Sequence, residues 1–107
     1  MINKQKVYGL LGLSTKAGKI AFGTESCLEL INKRKVRLII LAEDSADRTI
    51  NNFSNICKEK NIPIKVFGSK EEISKAIGQE NKTVIGIRDK NFAEAILKII
   101  NGGEIIG

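Results

Sequence analysis

Histidine and tryptophan are missing from this 107-residue chain, proline occurs once, and cysteine occurs twice. Each scarcity closes off a class of chemistry. Without histidine, the commonest general base and a frequent metal ligand are gone, which leaves carboxylates, lysines and hydroxyls for any catalysis. Cys27 and Cys57 are far apart and form no C-x-x-C pair, so neither a zinc site nor a dithiol redox motif fits, and both are expected as buried thiols. No apolar run approaches the roughly 18 to 20 residues of a membrane span. The opening Met1-Ile2-Asn3-Lys4-Gln5-Lys6 is not followed by the apolar stretch of a secretory leader. The expectation is a cytoplasmic protein without membrane attachment, metal or cofactor, and not an enzyme.

What the chain does have is an ordinary globular composition, 42% apolar and 28% charged, at a length that suits one independently folding domain over residues 1–107. Its formal charge of +6 says more when located than when totalled. Met1 to Arg37 carries eight basic residues (Lys4, Lys6, Lys16, Lys19, Lys33, Arg34, Lys35, Arg37) against Glu25 and Glu29, whereas the remainder balances ten against ten. The surplus lies wholly in the first third, where a polyanion would be met. A lysine-rich solvated surface is the plain alternative.

Helical and strand patterns alternate. Val7, Leu10, Leu11 and Leu13 after Asn3 predict an amphipathic helix from Ile2 to about Lys16, stopped by Ala17-Gly18. Lys19 to Phe22 reads as a strand ended by Gly23, followed by a helix from Thr24 to about Arg34 with Cys27, Leu28, Leu30 and Ile31 inward. Val36 to Ala42 is a nearly unbroken aliphatic run, the pattern of a central strand covered on both faces. A helix follows with Ile50, Phe53, Ile56 and Cys57 inward, ended by Asn61, and Pro63 leads into a strand from Ile64 to Phe67. Ser69-Lys70-Glu71-Glu72 resembles a capping box for a helix stopped at Gly78. Thr83 to Ile87 is the fourth strand, and Phe92, Ala95, Ile96, Ile99 and Ile100 mark the last helix, with a loosely ordered tail expected from Gly102 to Gly107. The reading is an α/β domain in which one sheet is sandwiched between helical layers.

Three segments invite a chemical reading. Gly12-Leu13-Ser14-Thr15-Lys16-Ala17-Gly18-Lys19 has five residues between its glycines and Ile20 after its lysine, and it ends a helix rather than starting one. All three features are wrong for a phosphate-binding loop. Glu43-Asp44-Ser45-Ala46-Asp47 follows the central strand and could hold a hard cation, but Ser45 or Asp47 capping the next helix explains it more simply. Gly23-Thr24-Glu25-Ser26-Cys27-Leu28-Glu29 opens a helix whose first amides, with Lys19 on one side and Lys33-Arg34 on the other, suit a nucleic-acid backbone. Thr24 or Ser26 capping that helix, with Ser26 and Glu29 as a capping box, fits the same residues.

The order of segments resembles the ribosomal L-seven-Ae family of kink-turn RNA-binding proteins, and more closely its small YlxQ-like bacterial branch. The match runs from Gly12-Leu13 and Lys16-Ala17-Gly18-Lys19-Ile20 through Gly23-Thr24, Leu38-Ile39-Ile40-Leu41-Ala42-Glu43-Asp44 and Cys57-Lys58-Glu59-Lys60-Asn61-Ile62-Pro63 to Ser69-Lys70-Glu71-Glu72-Ile73-Ser74-Lys75-Ala76-Ile77-Gly78. The resemblance implies a three-layer α/β/α sandwich with a four-stranded mixed sheet. It also implies a monomer that binds kinked or structured RNA, ribosomal or other, alongside ribosomal proteins.

In that family the motif G-x-N-E-x-x-K reads tandem sheared G·A pairs, and without a gap its reading positions fall on Glu25, Ser26 and Glu29. A one-residue slide would rotate the helix by about 100° and take Leu30 and Ile31 off the buried face. All three residues depart from the motif, which points to recognition led by RNA shape. The resemblance puts a second contact at Gln79, Glu80, Asn81 and Lys82, a loop that is apolar in the family and polar here. The resulting interface is Lys19, Gly23, Thr24, Glu25, Ser26, Glu29, Lys33, Arg34 and residues 79–82. A protein-interaction module on the same fold, with drifted RNA-reading residues, is the competing function.

Overall fold

A computed structural model describes residues 3–102, so the start of the first helix at Ile2 and the tail beyond Gly102 lie outside the described residues. Among the described residues, five helices and four strands alternate: α1 (Lys4–Lys16), β1 (Ile20–Phe22), α2 (Thr24–Asn32), β2 (Leu38–Leu41), α3 (Asp47–Lys60), β3 (Ile64–Val66), α4 (Lys70–Ala76), β4 (Val84–Ile87) and α5 (Lys90–Ile100). The strands form one mixed sheet in the order β1-β4-β2-β3. β4 runs antiparallel to both β1 and β2, while β3 is parallel to β2.

Alternation along the two inner strands separates two cores. Leu38 and Ile40 of β2, with Ile85 and Ile87 of β4, face Val7 and Leu11 of α1, Ile73 of α4 and Ile96 and Ile99 of α5. Ile39, Leu41 and Val84 face the other way, against Cys27 and Ile31 of α2 and Phe53 and Cys57 of α3. The layers are therefore α1/α4/α5, sheet, α2/α3, the expected three-layer sandwich. Every residue of β2 is buried, as its aliphatic run requires, and each such side chain contributes about 1.5–3 kcal/mol by leaving water. Gly86 faces α2, where a Cβ would lie 3.1 Å from Val36 Cγ2 and 3.4 Å from Cys27 Sγ. Its bare backbone lets α2 lie close to the sheet.

Several local signals are realised. Asn3 caps α1 by accepting from Lys6 N, Asn61 ends α3 in the left-handed region at φ 59°, and Ser69 with Glu72 forms a complete capping box on α4. Others are not. Leu13 is 55% exposed, because the buried stripe of α1 runs through Val7, Leu11 and Ser14 at four- and three-residue steps, and Leu13 lies well around the helix from it. Neither Ser45 nor Asp47 caps α3; its N-cap is Ala46, without a side-chain bond. On α5 the buried face includes Ala93, which the sequence pattern passed over. The strands are shorter than their apolar runs, because Lys19, Val36, Ala42, Phe67 and Thr83 flank the ladder without belonging to it.

Candidate nucleic-acid interface

The start of α2 is set by Gly23, its N-cap, with φ 96° and ψ 153° and no side-chain cap. Only glycine adopts this backbone region readily. The first helical bond runs from Cys27 N to Gly23 O at 3.1 Å. The amides of Thr24, Glu25 and Ser26 therefore precede the hydrogen-bonded ladder, and all three residues are exposed. They form the positive end of the helix dipole, open to an anion. The capping alternative fails, because Thr24 is already helical and the helix starts before a Ser26–Glu29 box could close it.

The second expected contact region lies beside this terminus. Gly23 N donates to Val84 O at 2.9 Å and Phe22 pairs with Ile85, so the loop entering β4 shares one end of the sheet with the α2 start. Lys82 Nζ stands 5.7 Å from the centroid of the Phe22 ring, within cation–π range. The buried Ser74 of α4 braces the loop: its Oγ accepts from Lys82 N at 2.8 Å and donates to Lys82 O at 3.2 Å. Asn81 turns the chain at φ 55°. Gln79, Glu80 and Asn81, with Lys70, Glu71, Ser74 and Lys75 of α4, line an open hollow of about 660 Å³. Neither Phe22 nor Ser74 was among the residues expected at the site. Phe22 had a signal, an aromatic one residue before Gly23, whereas Ser74 lies in an otherwise helical pattern that gives no hint of its partner.

Lys19, Lys33 and Arg34 do not flank this terminus, which corrects the sequence reading. Ile20 pairs with Ile87 and Phe22 with Ile85, so Lys19 precedes β1 at the end of the sheet remote from Gly23. Lys33 and Arg34 follow the nine residues of α2, a separation of roughly 13 Å along the helix. Lys19 and Arg34 instead join Lys35, Arg37 and Arg88 around a cleft of about 320 Å³. Glu29 lies between the two ends, its carboxylate accepting from Lys33 Nζ at 2.8 Å. That hydrogen bond and the lysine's charge hold the Glu29 carboxyl below its ordinary range, so the negative charge at this position comes paired with a cation.

The remaining reactive groups are engaged in structure. Asp44 Oδ1 accepts from Lys70 N at 2.8 Å, so the acidic segment after β2 caps α4 across space rather than α3 along the chain. Among the described residues, no group of three or more metal-ligating side chains comes together. Cys27 and Cys57 are free and buried. Burial, then the neighbouring Cys57, raises the Cys27 thiol to about 12, and burial raises Cys57 to about 11, so neither is a reactive thiolate at neutral pH. No helix among the described residues is long and apolar enough to cross a membrane.

Comparison with known proteins agrees with this architecture. The model of the ribosomal protein L7Ae/L30e/S12e/Gadd45 family matches residues 5–98. The RNA-binding protein YlxQ of Enterococcus faecium is 31% identical over 100 residues, covering 94% of this chain and 96% of that protein. Its namesake from Bacillus subtilis is 26% identical over 94 residues, covering 88% of this chain and 94% of that one. A solved structure of a Bacillus halodurans protein of unknown function superposes with a TM-score of 0.87 at 30% identity, covering 90% of this chain and 97% of the other.

Proposed function

Because the chain belongs to the ribosomal protein L7Ae/L30e/S12e/Gadd45 family and is YlxQ-like, we propose that it binds structured RNA, docking a kinked or bulged segment where α2 begins. The observation that carries this reading is the uncapped first turn of α2, Thr24 to Ser26, held beside the 79–82 loop by the Gly23–Val84 hydrogen bond. Such a terminus offers backbone donors to phosphate or base edges without requiring a particular side chain. That suits a chain whose motif positions hold Glu25, Ser26 and Glu29. Lys82 adds a cation held over an aromatic ring, and the Lys33–Glu29 pair softens the repulsion Glu29 would otherwise exert on RNA.

In this role the chain is a cytoplasmic, monomeric accessory of ribosomal or other kink-turn RNA, working beside ribosomal proteins as one binding domain. It catalyses nothing. Fluorescence anisotropy tests the reading with two RNA duplexes, one with a bulge and tandem G·A pairs, the other fully Watson–Crick paired. The expected result is at least about tenfold tighter binding of the kinked duplex, with affinity falling linearly in log salt, and loss of that preference in Lys82→Glu. Equal affinity for both duplexes overturns the proposal.

A further inference from the structure

The basic cleft at the opposite end of the sheet takes no part in the interface described above. Three connections build it: the α1–β1 turn gives Gly18 and Lys19, the α2–β2 connection gives Arg34, Lys35 and Arg37, and the β4–α5 turn gives Arg88. Backbone hydrogen bonds fix their positions. Arg37 N donates to Ile87 O and Arg88 N to Lys19 O, both at 2.7 Å, and Lys35 N donates to Leu30 O at 2.9 Å. Arg34 takes a left-handed φ of 55°, a conformation uncommon for a side-chain-bearing residue.

Among the described residues, five cations thus line one hollow, with no carboxylate and no aromatic ring in its walls. Among the described residues none of the five is ion-paired. Like charges held together without counter-charge repel in the free protein, and an anion that spans several of them relieves that repulsion. Three of the five are arginines, whose planar forks match phosphate oxygens two at a time. The open, polar setting, built from three separate connections, fits a chain of phosphates rather than an enclosed small molecule.

We propose that this cleft is a second RNA contact, a seat for successive phosphates of a sugar–phosphate backbone, separate from the start of α2. It rests on the reading of the chain as an RNA-binding protein, not on the location of the first interface. With two contacts about one helix length apart, the protein grips an RNA by a shape-reading end and a charge-reading end.

The test compares Arg37→Ala combined with Arg88→Ala, Lys82→Glu, and Lys98→Ala on α5, each checked for native circular dichroism. Binding to the kinked and the fully paired duplex is measured across a salt series. The double variant is expected to weaken both duplexes by about tenfold or more and to flatten the log–log salt slope by about 2, while keeping the preference for the kinked RNA. An unchanged slope in the double variant, or an equal loss in Lys98→Ala, overturns the cleft. If Lys82→Glu keeps the kinked-RNA preference while the double variant weakens both duplexes, the α2 interface fails and the cleft stands.

Discussion

Replacing Gly23 with alanine isolates one cause. Among the described residues, no heavy atom beyond its chain neighbours lies within 4 Å of where its Cβ would go, so the substitution meets no tertiary clash and leaves no cavity. What remains is the backbone: at φ 96° and ψ 153° a residue with a Cβ pays about 1–3 kcal/mol to persist. For a domain of this size a loss of about 2 kcal/mol lowers the melting temperature by roughly 8–16 °C. Gly9→Ala, inside α1 and equally unobstructed, is the opposite-sign control and is expected to stabilise by about 0.5–1 kcal/mol. Urea unfolding of both variants gives the two energies, and anisotropy well below melting gives the RNA affinity. If the chain relaxes Gly23 towards an allowed conformation, the first turn of α2 re-aims its amides, and binding of kinked RNA falls by about tenfold while the salt slope holds. A Gly23→Ala protein as stable as the parent, or one destabilised as expected yet binding kinked RNA with full affinity, refutes the link between this backbone geometry and recognition.

Ser74→Ala strands the Lys82 amide, at a cost of about 1–3 kcal/mol in urea unfolding, and loosens the 79–82 loop; kinked-RNA affinity is expected to drop with little change for the paired duplex. Glu29→Gln removes a negative charge and frees Lys33, so RNA affinity is expected to rise a few fold at low salt and converge with the parent at high salt. Both cysteines are expected to resist a thiol-alkylating reagent at pH 8 until urea exposes them, as read by mass shift. Their thiols, raised to about 12 and about 11, sit above the unfolded value near 8.5. Their contribution is whole below that value and is lost as pH climbs towards the folded ones, so the urea midpoint should fall between pH 8 and pH 11. Tyr8, raised to about 12 by burial and its hydrogen bond to Glu72, adds to the same alkaline decline.

The fold was legible because its strongest signals are local. The aliphatic run of β2, the Asn3 cap, the Asn61 stop and the Ser69–Glu72 box each satisfy a backbone requirement within a few residues. Gly23 was legible in the same way, as a glycine directly before a helical pattern. The partition of the basic residues was not, since nothing within the first third says that Arg88 will close a cleft with Lys19. That fact comes from the antiparallel pairing of β1 with β4. The length of α2 alone could have warned that Lys33 and Arg34 stand a full helix from Gly23. Leu13 misled because hydrophobicity was weighed ahead of angle, and the acidic segment 43–47 because the amide that Asp44 caps lies 26 residues further on.

The pairing of Phe22 with Ile85 also bears on timing. Both ends of the charged first third are completed by the fourth strand, which leaves the ribosome some 60 residues after the first. Such distant pairing closes a long loop and forms late. A nascent chain therefore carries its cations well before it owns either finished surface, and neither end of the sheet is complete until β4 has joined it.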